Sequence, residues 1–111
     1  MTKISLTYRR TGEFLSCEAQ GHSGYAPEGS DIVCAAVSVL LRTTAQVLLE
    51  AFGNAVKIDS SCRGVFKFSV KEEISKDSCQ LIYAADFLRS GFNSLQAEYP
   101  EYISEQLNIS D

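Results

Sequence analysis

Residues 32–50 contain neither Gly nor Pro, and no residue between Asp31 and Arg42 carries a charge. A run of that length without a breaker predicts a helix. Its first three turns are apolar or small on every side, which predicts a buried helix that other elements must cover. Asp31 supplies the N-cap, because its carboxylate accepts N–H groups that the first helical turn leaves without partners. Phe52-Gly53-Asn54 closes the helix, with Gly53 as the C-cap candidate. The apolar run ends near Leu41, short of the roughly 20 residues a membrane span requires, so it reads as core and not as a membrane segment.

The segments around this helix alternate as strands do. Residues 4–8 and 14–20 flank Arg9-Arg10-Thr11-Gly12 and predict a hairpin. Val56 and Ile58 alternate with charged residues, residues 59–64 turn, and residues 65–70 place Phe66 and Phe68 on one face, a second hairpin. Residues 71–77 are charged and read as exposed. Leu81, Ala85, Leu88, Phe92, Leu95 and Tyr99 recur at three- and four-residue steps, predicting a second helix over 78–99 that Pro100 stops. Ile103, Leu107 and Ile109 fit a short last strand. The order predicts an α+β fold, a mainly antiparallel sheet with two helices packed on one face. The 111 residues make a single domain, 1–111.

A formal net charge of −4 argues against direct nucleic-acid binding, which needs Lys and Arg against phosphate, and suits a basic partner. The opening residues lack the apolar stretch of a signal peptide, which predicts a cytoplasmic protein. There Cys17, Cys34, Cys62 and Cys79 are expected as reduced thiols, and no Cys-x-x-Cys pair suggests a zinc or thioredoxin-type site.

Residues 21–30 hold three Gly and one Pro and form a loop that is long for a compact chain. The single histidine, His22, lies in it. Twelve positions on, Cys34 is the third residue of the predicted helix. Helix-start N–H groups and the positive end of the helix dipole favour thiolate there, and a nearby imidazole can move the proton. The same N–H groups could hold an oxyanion. Two plainer readings stand beside this one: Cys34 as a small core residue, and His22 as a surface residue. Cys17 reads as core, Cys62 as a turn residue with no obvious helper, and Cys79 as structural. His22, Cys34 and Asp31 match no metal-binding spacing, so neither metal nor cofactor is expected.

The motif Gly21-His22-Ser23-Gly24-Tyr25-Ala26, followed by Gly29-Ser30-Asp31-Ile32-Val33-Cys34-Ala35-Ala36-Val37-Ser38, resembles the ribosomal-processing cysteine proteases of bacteria, the Prp family. The family usually has Ala where this chain has Ser23. The likeness extends over nearly the whole chain and includes Glu98-Tyr99-Pro100-Glu101-Tyr102. The resemblance implies a small α+β homodimer. It implies removal of a short N-terminal extension from large-subunit ribosomal protein twenty-seven, a basic substrate, by cutting after a pair of aromatic residues. Cys34 then matches the nucleophile and His22 the family's histidine. Asp31 and Ser38 match supporting positions, Asp31 as cap and as a group that could orient His22. Ser38, one turn after Cys34, either lines the substrate pocket or back-bonds to the Cys34 carbonyl. The loop containing Gly24, Tyr25 and Gly29 is expected to move to admit a peptide.

Two competing readings predict different behaviour. A non-catalytic ribosome-associated binding module would hold a basic ribosomal protein without changing its mass. A thiol-redox or metal-sensing domain would need a resolving cysteine near Cys34, and the sequence places none close to it.

Overall fold

The computed structural model describes residues 1–22, 24–27, 31–60, 62 and 64–110. Its elements are β1 (Thr2–Arg9), β2 (Phe14–Gln20), α1 (Ile32–Phe52), β3 (Val56–Asp59), β4 (Val65–Val70), the short helical turn α2 (Glu72–Ser75), α3 (Cys79–Glu98) and β5 (Ile103–Ser110). All five strands form one sheet in the order β3-β4-β2-β1-β5. The β1–β2, β2–β4 and β3–β4 pairs are antiparallel, and β5 lies parallel to β1. The architecture is α+β and mostly antiparallel, as the alternation predicted.

Strand pleating sorts the side chains. Register places Leu6 against Cys17 and Cys17 against Phe68, so three wholly buried residues share one face. Phe14 stacks on Phe68 with ring centroids 5.0 Å apart. Helices α1 and α3 cover this face: Val37, Leu41, Ala45 and Leu48 from α1 join Leu81, Ala85, Leu88 and Phe92 from α3 in the same core. The opposite face carries Lys3, Ser5, Glu18 and Lys67, none of them buried.

Both helix starts follow from their capping residues. The Asp31 carboxylate accepts the Val33 and Cys34 N–H groups, and the Ser78 hydroxyl accepts that of Leu81. Gly53, at φ 55°, ends α1 with its N–H donated to the Leu49 carbonyl.

Three expectations are corrected. Helix α1 is not buried all round: Ile32, Val39 and Val47 are 50%, 64% and 56% exposed. In a two-layer fold the sheet and the neighbouring helix cover only one side, and absence of charge does not imply cover. Counted through Ala55 the segment is also long and apolar enough to cross a bilayer, although its uncharged run alone is not. Here Val33, Val37, Leu41, Ala45 and Leu48 are buried in this fold. Residues 71–77 are not uniformly exposed either: Ser75 is wholly buried, donating to the Glu72 carbonyl and accepting from Arg9. The last strand is as long as β1, because parallel pairing runs from Thr2–Ile103 to Arg9–Ser110.

Glu13 ties the hairpin turn to the start of α3. Its buried carboxylate accepts from the Thr11 hydroxyl and from the Asp77 N–H, which holds Asp77 at φ 59°. The Thr11 hydrogen bond is the main cause that holds the Glu13 carboxyl below the usual carboxylate range. A lowered folded-state pKa stabilises the fold above the unfolded-state value, and that contribution fades as pH falls through the folded one. Glu13→Gln is therefore expected to lower the urea midpoint at pH 7 and to flatten its fall on acidification. Equal midpoints for both proteins at neutral pH would remove this role.

Candidate active site

The site is built where β2 ends, α1 begins and β4 begins. Gly21, at φ 88°, turns the chain out of β2, and its N–H is donated to the Gly64 carbonyl at 2.9 Å. A side chain there would bring a Cβ within 2.8 Å of the Met1 carbonyl oxygen, so only glycine fits. The next residue, His22, is thereby set beside the β3–β4 connection: a Cβ built on Gly64 would lie 3.8 Å from its Nε2.

Across from it, α1 presents Cys34, Ser38 and Arg42 at four-residue steps, one turn apart along one helix face. Together with His22, Gly21, Asp31, Phe66 and Cys62 these line a single cleft of about 760 Å³. Cys34 is half-buried, and Ser38 is exposed. The Arg42 guanidinium lies 5.3 Å from the Phe66 ring centroid, a cation on an aromatic face in the cleft wall.

The sequence-predicted residues thus converge. His22, Asp31, Cys34, Ser38 and Gly24 all line the cleft. Tyr25 does not. Its ring packs edge-on against Tyr99 and Tyr102, with centroids 5.5 and 5.3 Å away, and so clasps the loop to the segment that follows α3. Burial is the main cause that raises the Tyr99 phenol above its ordinary pKa. Gly29 lies outside the described residues, as do Ser23 and Ser30 of the motif and Ser61 and Arg63 of the predicted turn.

Asp31 is the cap it was expected to be, and the consequence differs from the expectation. One carboxylate oxygen takes both the Val33 and the Cys34 N–H at 3.0 Å, and the Asp31 carbonyl takes that of Ala35. Those helix-start donors are therefore engaged within the protein and do not form a preformed oxyanion hole. His22 and Asp31 both line the cleft. Ser38 is exposed and lines the cleft.

The other thiols separate by environment. Cys17 is wholly buried, and burial, with the charges of Glu105 and Glu18 behind it, pushes its thiol up to about 12, far from any nucleophilic role. Cys79 is exposed at the start of α3 and does not line the cleft. Among the described residues no three His, Cys, Asp or Glu side chains are placed to hold a metal ion. Sequence reasoning missed Arg42, Phe66 and Cys62 as cleft residues. Arg42 was findable as the next step in the Cys34–Ser38 series. Phe66 and Cys62 arrive through the pairing of β4 with β2, which no local pattern announces.

Losing the cap should loosen the first turn that carries Cys34. Asp31→Ala is expected to cost about 0.5–2 kcal/mol of stability, with Asp31→Asn recovering most of it. Thermal melts of the three proteins check this, and an unchanged melt for Asp31→Ala would show that the cap contributes nothing.

A family profile described as cysteine protease Prp matches residues 1–104. No curated protein matches the chain. Among solved structures, the ribosomal processing protease Prp of Staphylococcus aureus, in complex with a covalently linked product peptide, superposes with a TM-score of 0.75 at 24% identity, over 99% of this chain and 100% of that one. The protein SMU.848 of Streptococcus mutans gives 0.73 at 27% identity, over 99% and 96%. The S. aureus protease with a substrate peptide gives 0.70 at 19% identity, over 97% and 100%.

Proposed function

Because the chain belongs to the cysteine protease Prp family, we propose that it is the endopeptidase that removes the short N-terminal extension of large-subunit ribosomal protein twenty-seven. The observation that carries this reading is the convergence of His22 and Cys34, from a loop and a helix, on one open cleft. Its openness suits a peptide in extended form.

The proposed chemistry runs in two halves. The Cys34 thiolate adds to the carbonyl carbon of the scissile bond, and the C–N bond breaks as His22 delivers a proton to the leaving amine. The N-terminal fragment is left as a thioester on Cys34. His22 then takes a proton from water, the resulting hydroxide adds to the thioester, and the C–S bond breaks to return the thiolate. A product peptide covalently linked to the S. aureus protease supports a covalent route of this kind.

In this reading Asp31 fixes the turn that holds Cys34, and Ser38 lines the wall along which the peptide lies. The loop with Gly24, Tyr25 and Gly29 admits the substrate, and Tyr25 sets its hinge against Tyr99 and Tyr102. The single domain 1–111 works in the cytoplasm, without metal, cofactor, nucleic acid or membrane. The net charge of −4 supports attraction of a basic ribosomal protein. A homodimer is part of the proposal, and the exposed Ile32, Val39 and Val47 of α1, with Tyr83 and Phe87 of α3, support it as apolar surface awaiting cover.

The test is a peptide spanning an aromatic–aromatic junction of the extended ribosomal protein, followed by mass spectrometry. Wild type is expected to make one cut. Cys34→Ala and His22→Ala, with unchanged melting temperatures, should each lose at least about a thousand-fold in kcat/KM. A folded Cys34→Ala protein that still cuts would overturn the assignment.

A further inference from the structure

Among the described residues, Arg42 is the only Lys or Arg that lines the cleft. It stands two turns of α1 beyond Cys34, on the face that also carries Ser38. Its side chain is exposed, and its guanidinium is held over the Phe66 ring, 5.3 Å from the centroid. Phe66 is half-buried and packs against the core, with the wholly buried Phe68 ring 6.0 Å away. The cation therefore rests on an anchored platform, which reduces the freedom a long side chain loses on binding.

Among the described residues no ion pair engages this guanidinium. A guanidinium held over a ring keeps its N–H fork for a further partner, and that fork matches the oxygens of a carboxylate. The helix also sets the distance from the nucleophile. Two turns and a little more, from Cys34 to Arg42, advance about 12 Å along the axis. A peptide in extended form spans that length in about four residues.

We propose that Arg42 is a specificity-determining residue, which binds a hydrogen-bond-accepting side chain of the substrate, a carboxylate foremost, about four residues from the scissile bond, and rejects lysine or arginine there. The inference rests on Cys34 being the nucleophile, since the position is counted from it. The net charge of −4 draws a basic peptide towards the chain without choosing a register. Arg42 adds the choice: registers that bring a cation to its end of the cleft are penalised, and one that brings an acceptor is favoured. The contact is remote from the reacting bond, so it strengthens substrate and transition state alike and is read in KM.

The experiment places Glu, Gln, Ala or Lys at each position in turn on both sides of the aromatic–aromatic junction. It measures kcat and KM for wild type, Arg42→Lys, Arg42→Ala and Arg42→Glu, with thermal melts of each protein. Wild type is expected to favour Glu over Lys about ten-fold in kcat/KM at one position, about four residues from the cut, with the difference in KM and Gln in between. Arg42→Ala should erase that preference, Arg42→Lys should keep it in weaker form, and Arg42→Glu should reverse it. Reversal by exchange of charge is a result that mere cover of Phe66 by Arg42 does not give. An unchanged Glu-to-Lys ratio in Arg42→Glu would overturn the proposal. So would a preference in wild type at no position, or a change spread evenly over all positions. Binding of the same peptides to Cys34→Ala protein, with and without Arg42→Glu, reads the ratio by fluorescence anisotropy without any turnover. Cleavage by Cys34→Ala is the separate result that would remove the nucleophile from which the position is counted.

Discussion

The arrangement of the cleft depends on one carboxylate. A helix begins with N–H groups that have no carbonyl within the helix to receive them, and here Asp31 accepts two of them at the same oxygen. That fixes the residue at which α1 starts, and with it the position of Cys34 as the third helical residue and of Ser38 and Arg42 on the turns that follow. A start one residue earlier or later would rotate this face by about 100° and carry Cys34 away from His22. The same bonds engage the Val33 and Cys34 N–H groups within the protein. Asp31 therefore acts here through position, as the group that places Cys34.

The opposite wall is fixed by the sheet. The β2–β4 pairing sets Ala19 opposite Phe66 and Gln20 opposite Val65, so the end of β2 and the start of β4 meet at the cleft. Gly21 then has no room for a side chain, because the Met1 carbonyl oxygen occupies the space. The histidine is thus carried by a turn that backbone packing makes rigid on one side, while the loop beyond it is clasped by Tyr25 to Tyr99 and Tyr102. A capped helix start, a fixed turn and a clasped loop divide the positioning work among three separate pieces of the chain.

Much of this was legible in the sequence where the signal is local. Capping by Asp31, the stop at Gly53 and the stripe from Leu81 to Phe92 are properties of a few neighbouring residues, and all are present in the fold. What was not legible depends on partners far along the chain. The outward face of α1 looked like core because an uncharged helix does not say how many sides will be covered. The burial of Ser75 depends on Arg9, and Asp77 is held by Glu13, contacts spanning more than half the chain. Cys62 looked solitary because it lies 28 residues from Cys34 in sequence, and only the pairing of β4 with β2 brings it to the cleft. The motif from Gly21 to Ser38 carried the family likeness, and the fold shows why its scattered positions belong together.

The central claim is that Cys34 alone among the four thiols performs the cleavage. Limited alkylation with iodoacetamide, with the label mapped by mass and peptide turnover followed in the same samples, addresses it most directly. Turnover is predicted to fall in proportion to the label on Cys34 and to be indifferent to label on Cys79. Full turnover in protein whose Cys34 is completely alkylated would contradict the account.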